Sequence, residues 1–384
     1  MAPVLCRAPL APARVCETCH VPKFSWDTLP VFMHLSVEDA LAFDNETLTA
    51  ITKFDIVTIE KWQGCKALSY TFEEDAMLAA AKSIKVASAA AGTSTAVVAW
   101  LDSFRVYSNT TLNPDAQDTT GIACMNSRAA HFLEADRARL LADERGALVL
   151  ESFAHLHVVD YQREDMRRYK RDMCLNMTAS GFVDGCGVDG SFQRAGTTAI
   201  PGVAAANASR WNEGKVCMMN ATTAAIGDGL VLGKMEWELG GPSGYVNGIL
   251  QESCNNNNAT VNNLRAVDQR SRQLGGARLV YECHADCNGA DCESHIAAFL
   301  VGAGANAYWG QGGWVLPNSQ EVAGRWMPEY FEKPLGAPLA DAAYDPRAQV
   351  WTRRFGAGAR VWFSAANQSG GVEWGPGSES ESTA

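Results

Sequence analysis

Acidic side chains stand at the ends of short apolar runs along this chain. They are Glu60, Asp102, Asp189, Glu236 and Glu282, with His284 just beyond the last and Asp160 in a separate segment. In a parallel α/β barrel the carboxyl ends of all strands meet at one face. These acids are therefore expected to surround one site.

Two carboxyl groups flanking a glycosidic bond are the minimum for its hydrolysis. One donates a proton to the leaving oxygen, and the other is the nucleophile or activates water. Burial and mutual repulsion would raise the pKa of one and leave the other ionised. We predict that Asp189 on the fourth strand and Glu282 on the seventh form the pair across a barrel. Glu60 is the best substitute for either, and the assignment of acid and nucleophile stays open.

Aromatic residues beside these acids would suit a sugar, because rings stack on the apolar faces of pyranoses while carboxylates bind hydroxyl groups. IEKWQG contributes Lys61 and Trp62, and YWGQGGW contributes Tyr308 and Trp309. Core packing is the alternative for the tryptophans. The complete predicted substrate-binding set is Asp102, Asp160, Asp184, Lys61, Trp62, Glu236, His284, Tyr308 and Trp309.

The stretch SGFVDGCGVDGSFQ contains G-x-G-x-x-G at Gly185, Gly187 and Gly190. A dinucleotide site needs a full apolar strand before these glycines and a helix after them. Here only GFV precedes them, and SFQRAGTTAIPG predicts a loop. Asp189 would also repel phosphates. We predict no cofactor, and that Gly185 and Gly187 leave space inside a barrel.

Two cysteine-rich stretches resemble metal or haem sites. CETCH, residues 16–20, matches the haem attachment pattern, but it lacks helical flanks, and a disulfide or two ordinary cysteines is the favoured interpretation. YECHADCNGADCESH, residues 281–295, allows a zinc site, although disulfides are favoured there too. We predict no metal.

Eight apolar runs predict the strands of an α/β protein, a (β/α)8 TIM barrel, with a doubly wound open sheet as the alternative. They are residues 30–36, 54–60, 96–103, 181–190, 215–222, 229–238, 277–286 and 305–313. Helical patterns between them cover residues 71–87, 128–144, 162–180 and 294–304.

The predicted division has four parts. Residues 1–29 are a partly irregular leader, and residues 30–333 are the barrel, with an insertion around 104–181 that includes a short strand, AHLHVVD. Residues 334–374 add two or three antiparallel strands, a small C-terminal antiparallel β-element. Residues 375–384 are rich in Gly and Ser and predict a disordered tail.

The net charge of −11 argues against a nucleic-acid partner, which requires clustered Lys and Arg. No apolar run reaches the roughly 18–20 residues of a membrane span. The 12 cysteines and the N-x-S/T sequons predict a secreted or lumenal glycoprotein with disulfides, although the first residues are a poor signal peptide. The oligomeric state stays open.

The sequence as a whole resembles the glycoside-hydrolase-like (β/α)8 barrels of algae and other microbes. FDIVTIEKWQG, VVAWLDS, GFVDGCGVDGS, HIAAFLVGAGANAYWG and the closing PLGAPL…WTRRFGAGARVWFSAAN carry this resemblance over most of residues 30–365. It implies a carbohydrate substrate and a catalytic aspartate at the end of strand four. Gly181, Asp184 and Gly185 match the start of that family's pattern, but the spacing to Asp189 is one residue longer, so either aspartate could be the catalytic one. A barrel that binds glycans without cleaving them is the alternative function, and a lyase or metal-dependent hydrolase is a third possibility.

Overall fold

The computed structural model of the chain describes residues 16–38, 41, 43–66, 72–106, 126–152, 155–191, 193–234, 245–251, 254, 256–273, 280–285, 291–311 and 319–376. Of residues 273, 280–285, 319 and 320 only the backbone is described.

Eight parallel strands form one curled sheet, in which each strand pairs with the next along the chain. They are β1 (Phe32–Leu35), β2 (Ile56–Glu60), β3 (Ala96–Asp102), β4 (Gly185–Asp189), β5 (Leu230–Lys234), β6 (Gly248–Gln251), β7 (Val280–Ala285) and β8 (Ala307–Gln311). The curl brings the two edges together, because Val31 bridges to Trp309 and the Trp309 N–H donates to the Pro30 carbonyl at 2.9 Å.

Helices follow most of the strands. They are α1 (Asn45–Ile51), α2 (Glu73–Ala91), α3 (Arg128–Glu134), α4 (Glu164–Thr178), α5 (Ala205–Ile226), α6 (Asn257–Gln273), α7 (Asp291–Gly302), α8 (Ser319–Ala323) and α9 (Pro328–Phe331). Three acids lie in the first turn of α2, where the helix dipole favours acidic residues. Gly92 ends the helix in the left-handed conformation, with φ 70°. In the part of the chain that is described, no helix lies between β5 and β6.

Alternate residues of the strands point to the inside of the curled sheet and form a core of their own. Phe32, Ile56, Trp100, Leu232 and Tyr308 belong to it. Gly187 makes room for the largest of these side chains, since a Cβ at that position would lie 1.6 Å from Trp100 Cε3. The prediction that Gly187 leaves space for a neighbouring side chain is confirmed.

One predicted strand was wrong and one real strand was missed. KVCMMNAT, residues 215–222, lies within α5, where Cys217, Met218 and Met219 are buried. A helix buried on several sides carries a continuous apolar run like that of a buried strand. The strand that the sequence analysis missed is β6, whose GILQ is too short for a clear pattern.

The insertion between β3 and β4 contains α3, a 3-10 helix at Arg137–Arg139 and α4. The helix predicted over 128–144 therefore ends early, at Glu134. Within the predicted short strand, Val158 bridges to Arg105 and Val159 bridges to Leu140. Residues 107–125 of the insertion lie outside the described residues.

A separate antiparallel sheet contains four strands rather than two or three. They are β9 (Ala343–Asp345), β10 (Val350–Arg354), β11 (Arg360–Ser364) and β12 (Ser369–Glu373). This sheet packs against α7, where Arg353 Nη1 donates to the Leu300 carbonyl at 2.9 Å and the Val372 N–H donates to Glu293 at 3.1 Å. Most of the predicted disordered tail, residues 377–384, is not described.

Disulfides involve all of the cysteines whose side chains are described, and two pairs are defined: Cys16–Cys19 and Cys174–Cys186. The second ties α4 to β4. Within the described ranges, no helix has the length and apolar character to cross a bilayer.

Candidate active site

Asp189, the last residue of β4, is the centre of a buried ionic cluster. Its Oδ2 lies 2.8 Å from Lys61 Nζ and 2.9 Å from Arg105 Nη2, and its Oδ1 lies 3.2 Å from Lys234 Nζ. The three cations follow or end three different strands. Parallel strands place their carboxyl ends at the same edge, which explains how distant residues converge here.

Glu60, the last residue of β2, joins the cluster through the same lysine. Its Oε2 lies 3.2 Å from Lys61 Nζ and also accepts from the Lys61 backbone N–H at 2.9 Å. Its Oε1 lies 3.6 Å from His34 Nε2 on β1. Glu60 is 2% exposed and Lys61 is 0% exposed, so water screens these charges weakly.

Asp102, the last residue of β3, pairs in register with Asp189. Its carboxylate accepts from the Arg105 backbone N–H at 2.7 Å and from Arg105 Nε at 3.1 Å. It thereby turns the guanidinium toward Asp189. Ser103 adds a direct link between the strand ends, since its Oγ donates to the Asp189 carbonyl at 2.5 Å.

Lys234 is oriented by the loop that follows Asp189. Ser191 Oγ accepts from the Lys234 N–H at 2.8 Å and donates to the Lys234 carbonyl at 3.2 Å. Lys215 on α5 holds this loop, because its buried ammonium group donates to the carbonyls of Ser191 and Gln193. Residues 215–222, which were predicted to form a strand, thus form part of α5 and position the loop beside the cluster.

The two carboxyl groups that share Lys61 differ in their affinity for protons. Burial raises the pKa of Glu60 to about 7, although the charge of Lys61 opposes it. Burial also acts on Asp189, but the charges of Lys234, Lys61 and Arg105 together outweigh it and hold its pKa well below the usual range. Near neutral pH Asp189 is ionised, and Glu60 is present in both forms.

A second carboxyl pair, which the sequence analysis did not single out, begins α2. Glu74 accepts from the Arg128 N–H at 3.1 Å, whereas Glu73 Oε2 is buried without a hydrogen-bond partner among the described residues. Burial and the adjacent Glu74 raise the pKa of Glu73 well above its usual value. Lys170 is close by and donates to the Asp102 carbonyl at 2.9 Å.

Asp184 lies at the opposite end of β4 from Asp189. It accepts from the backbone N–H groups of Val97 at 2.8 Å and His20 at 3.1 Å, and pairs with Lys85 at 2.5 Å. The structure therefore does not bring it to the cluster. Of the two candidate aspartates, only Asp189 stands at the carboxyl end of the strand.

Several other predicted site residues are buried in the core or tied up locally. Trp309 is 0% exposed and packs against Phe331, and Tyr308 lies inside the curled sheet against Phe24. Neither ring presents a face for sugar stacking. Trp62 lies under the Lys61 ammonium group, 4.5 Å from the ring centre. Asp160 accepts from the Gln162 N–H at 3.0 Å in the turn before α4.

The predicted residues of strand seven are described by backbone alone. Glu282 pairs in register with Leu250 and Tyr308, both of which belong to the inner core. His284 pairs with Gly310. Glu236 lies outside the described residues.

The motifs set aside in the sequence have structural explanations. Cys16 and Cys19 are bonded to each other, so their sulfur atoms are unavailable to haem or zinc. After Gly190 the described residues before Ala205 include no helix, and α5 begins at Ala205, so the loop predicted after G-x-G-x-x-G is confirmed for these residues. Among the described residues, no group of three or more His, Cys, Asp and Glu could hold a metal ion.

No protein family and no curated protein matches this sequence. Similar solved structures include a variant of the glycoside hydrolase domain of PelA from Pseudomonas aeruginosa, with 12% identity over 74% of this chain and 96% of that one and a TM-score of 0.43. The GH36 alpha-galactosidase AgaA from Geobacillus stearothermophilus is 12% identical over 90% of this chain, with a TM-score of 0.47.

The maltogenic alpha-amylase AmyB from Thermotoga neapolitana is 10% identical over 87% of this chain and 84% of that one, with a TM-score of 0.44. The chain spans 48% of the alpha-galactosidase. Likenesses this distant leave the activity to be argued from the site itself.

Proposed function

We propose that this chain is a glycoside hydrolase on a closed (β/α)8 barrel, with Asp189 as the nucleophile and Glu60 as the general acid. The observation that carries the proposal is one lysine, Lys61, shared by two carboxyl groups, of which Glu60 has a raised pKa and Asp189 a lowered pKa. Enzymes that run acid and nucleophile chemistry at one pH need such a pair. The bridge between Val31 and Trp309 supports the closed barrel.

The spacing of the pair favours a retaining mechanism. Lys61 Nζ lies 3.2 Å from Glu60 Oε2 and 2.8 Å from Asp189 Oδ2, and the distance between those oxygens cannot exceed the sum. That limit is below the about 6.5–9.5 Å between the carboxyl groups of inverting enzymes and allows the about 5–5.5 Å of retaining ones.

In this mechanism Glu60 protonates the leaving oxygen while Asp189 attacks the anomeric carbon and forms a glycosyl ester. Glu60, now a carboxylate, then removes a proton from water, which attacks the same carbon and releases Asp189. Lys61, Arg105 and Lys234 keep Asp189 ionised before the attack. Lys61 also stabilises the charge that Glu60 acquires.

A glycan-binding barrel without hydrolysis is the second candidate function. The burial of the cluster argues against hydrolysis, since Asp189 is 3% exposed and all three of its cationic partners contact it directly. Such a cluster could hold the strand ends together without touching a substrate. A secreted or lumenal location is proposed for either function, supported by the disulfides.

The test is release of reducing sugar from a panel of algal and plant polysaccharides by the wild type, Asp189→Asn, Glu60→Gln and Glu282→Gln. We expect the first two substitutions to abolish release and the wild type to retain the anomeric configuration by NMR. Asp184→Asn is the matched control at the other end of the same strand and should keep the activity of the folded protein.

Each other outcome has a distinct meaning. Release that survives both Asp189→Asn and Glu60→Gln refutes the assigned pair. Loss with Glu282→Gln but not with Glu60→Gln restores the strand-seven pair of the sequence analysis. If the wild type binds glycans but neither it nor Asp189→Asn releases sugar, the result supports the binding protein.

A further inference from the structure

The CETCH segment crosses the amino-terminal ends of the strands, the face opposite the candidate active site. The Cys16 N–H donates to the Ala225 carbonyl at 2.9 Å, and the His20 N–H donates to Asp184 at 3.1 Å. Val21 reaches into the inner core and is 4% exposed. These contacts hold the segment in place independently of its disulfide.

The two sulfur atoms of this disulfide have different surroundings. Cys19 is 5% exposed, and its Sγ lies 3.9 Å from the Val183 carbonyl at the start of β4. Cys16 is only partly buried. Its Sγ accepts from the Cys19 N–H at 3.2 Å and lies 3.7 Å from Thr18 Oγ1. Nearby hydrogen-bond donors stabilise negative charge on a cysteine sulfur.

The defined disulfides also close loops of different length. Cys16–Cys19 has a sequence separation of 3, whereas Cys174–Cys186 has a separation of 12 and joins a helix to a central strand. A short loop restricts the unfolded chain little, so its disulfide adds little stability. Cys174 and Cys186 are 3% and 1% exposed, which protects them from attack.

We propose that Cys16–Cys19 is a thiol–disulfide exchange site, in which Cys16 forms the mixed disulfide and Cys19 is the leaving thiol, or the attacking thiol when the reaction runs in reverse. The reaction partner is a small thiol such as glutathione. Its thiolate attacks Cys16 Sγ, the S–S bond breaks, and Cys19 leaves and takes a proton. A second thiolate attacks the glutathione sulfur and releases Cys16. Two glutathione molecules are thus oxidised to their disulfide, and the protein gains two thiols.

Exchange does not depend on the proposed hydrolysis, so either can fail without the other. The first test incubates the native wild-type protein with reduced glutathione, blocks thiols with iodoacetamide at intervals and quantifies both disulfides by peptide mass spectrometry. Cys16–Cys19 should open on the order of tenfold faster than Cys174–Cys186, the control within the same molecule. Equal rates, or faster opening of Cys174–Cys186, would overturn the proposal.

The second test assigns the two roles with a matched pair of variants. Cys19→Ser should form a mixed disulfide with oxidised glutathione at Cys16 on the order of tenfold faster than Cys16→Ser does at Cys19. The reverse order contradicts the assigned roles. If either variant fails to fold, the wild-type measurement alone decides whether exchange occurs here.

Discussion

Glu60 and Asp189 reach the same ammonium group from strands that are not neighbours. Lys61 Nζ lies 3.2 Å from Glu60 Oε2 and 2.8 Å from Asp189 Oδ2, and β3 separates their two strands in the sheet. Any proton that enters or leaves Glu60 changes the balance of charge around Asp189. The pair is therefore a coupled unit, and pH should act on it as one.

The activity should fall as pH rises through about 7. Burial raises the pKa of Glu60 to about 7, and only the protonated acid can assist the leaving oxygen. We expect kcat/KM to decline roughly tenfold per pH unit above that value. Glu60→Gln should lower kcat by about 10²–10⁴-fold and remove this limb of the pH–rate profile. An unchanged alkaline limb in the variant would assign the acid elsewhere.

Stability should respond to the same carboxyl group. The pKa of Glu60 is about 7 in the folded protein against an ordinary 4.5, so the folded state binds more protons between these values. The stability that its protonation contributes is fully present below pH 4.5 and is lost as pH rises to 7, by about 3 kcal/mol. Urea denaturation at several pH values should show the wild type losing this free energy relative to Glu60→Gln. A constant difference would contradict the coupling.

Aspartates at the two ends of β4 should respond differently to substitution. Asp189→Asn removes the anion that three cations share, and removing one partner of a buried ion pair costs about 3–5 kcal/mol. Asp184→Asn keeps an oxygen for the Val97 N–H, and we expect a loss of about 1–3 kcal/mol with no change in kcat. Denaturation and kcat per folded molecule check both expectations. Loss of kcat in Asp184→Asn would move the chemistry to the other end of the strand.

Gly187→Ala should disrupt the inside of the sheet. The added Cβ would lie 1.6 Å from Trp100 Cε3, and overpacking a core costs about 1–3 kcal/mol or more. Adding Trp100→Leu should recover part of the loss in a double-mutant cycle. Gly202→Ala is the control, because its φ of 77° is strained but no atom lies within 4 Å of the added carbon. Equal losses at the two glycines would argue against a packing effect.

Lys215 should matter for position rather than for chemistry. Lys215→Met removes the donor to the Ser191 and Gln193 carbonyls, and a loop displaced by 1 Å lowers a rate by about 10²-fold. We expect kcat to fall through misplaced Lys234, with less change in KM, and partial recovery in Lys215→Arg. If Met and Arg behave alike, the ammonium group does not hold the loop.

Acids at strand ends were predictable from the sequence because each follows a short apolar run. Glu60, Asp102 and Asp189 end β2, β3 and β4 as expected. The partners of Asp189 were harder to find. Arg105 stands three residues after Asp102, and Lys234 ends β5, but isolated basic residues after strands are usually solvated. Only the convergence of parallel strand ends shows that they meet one carboxylate.

Other parts of the site depend on packing that a sequence pattern does not record. α5 is apolar enough to resemble a strand, so Lys215 was placed on the wrong element. Glu73 lies in the first turn of a helix, where acids are common because they interact favourably with the helix dipole. Nothing in the sequence pattern therefore indicates that this side chain is buried. Trp309 was a candidate for sugar stacking, but its ring packs in the larger hydrophobic core, on the outer face of the curled sheet.

The seam between β1 and β8 has a consequence for biosynthesis. β1 pairs with β2 on one side, and in the described part of the chain its other edge meets β8, the last strand of the sheet to emerge from the ribosome. Until then the nascent chain presents an open strand edge, and open edges recruit other strands. The period before β8 emerges is therefore when the chain is most exposed to misassembly with its neighbours on the same message.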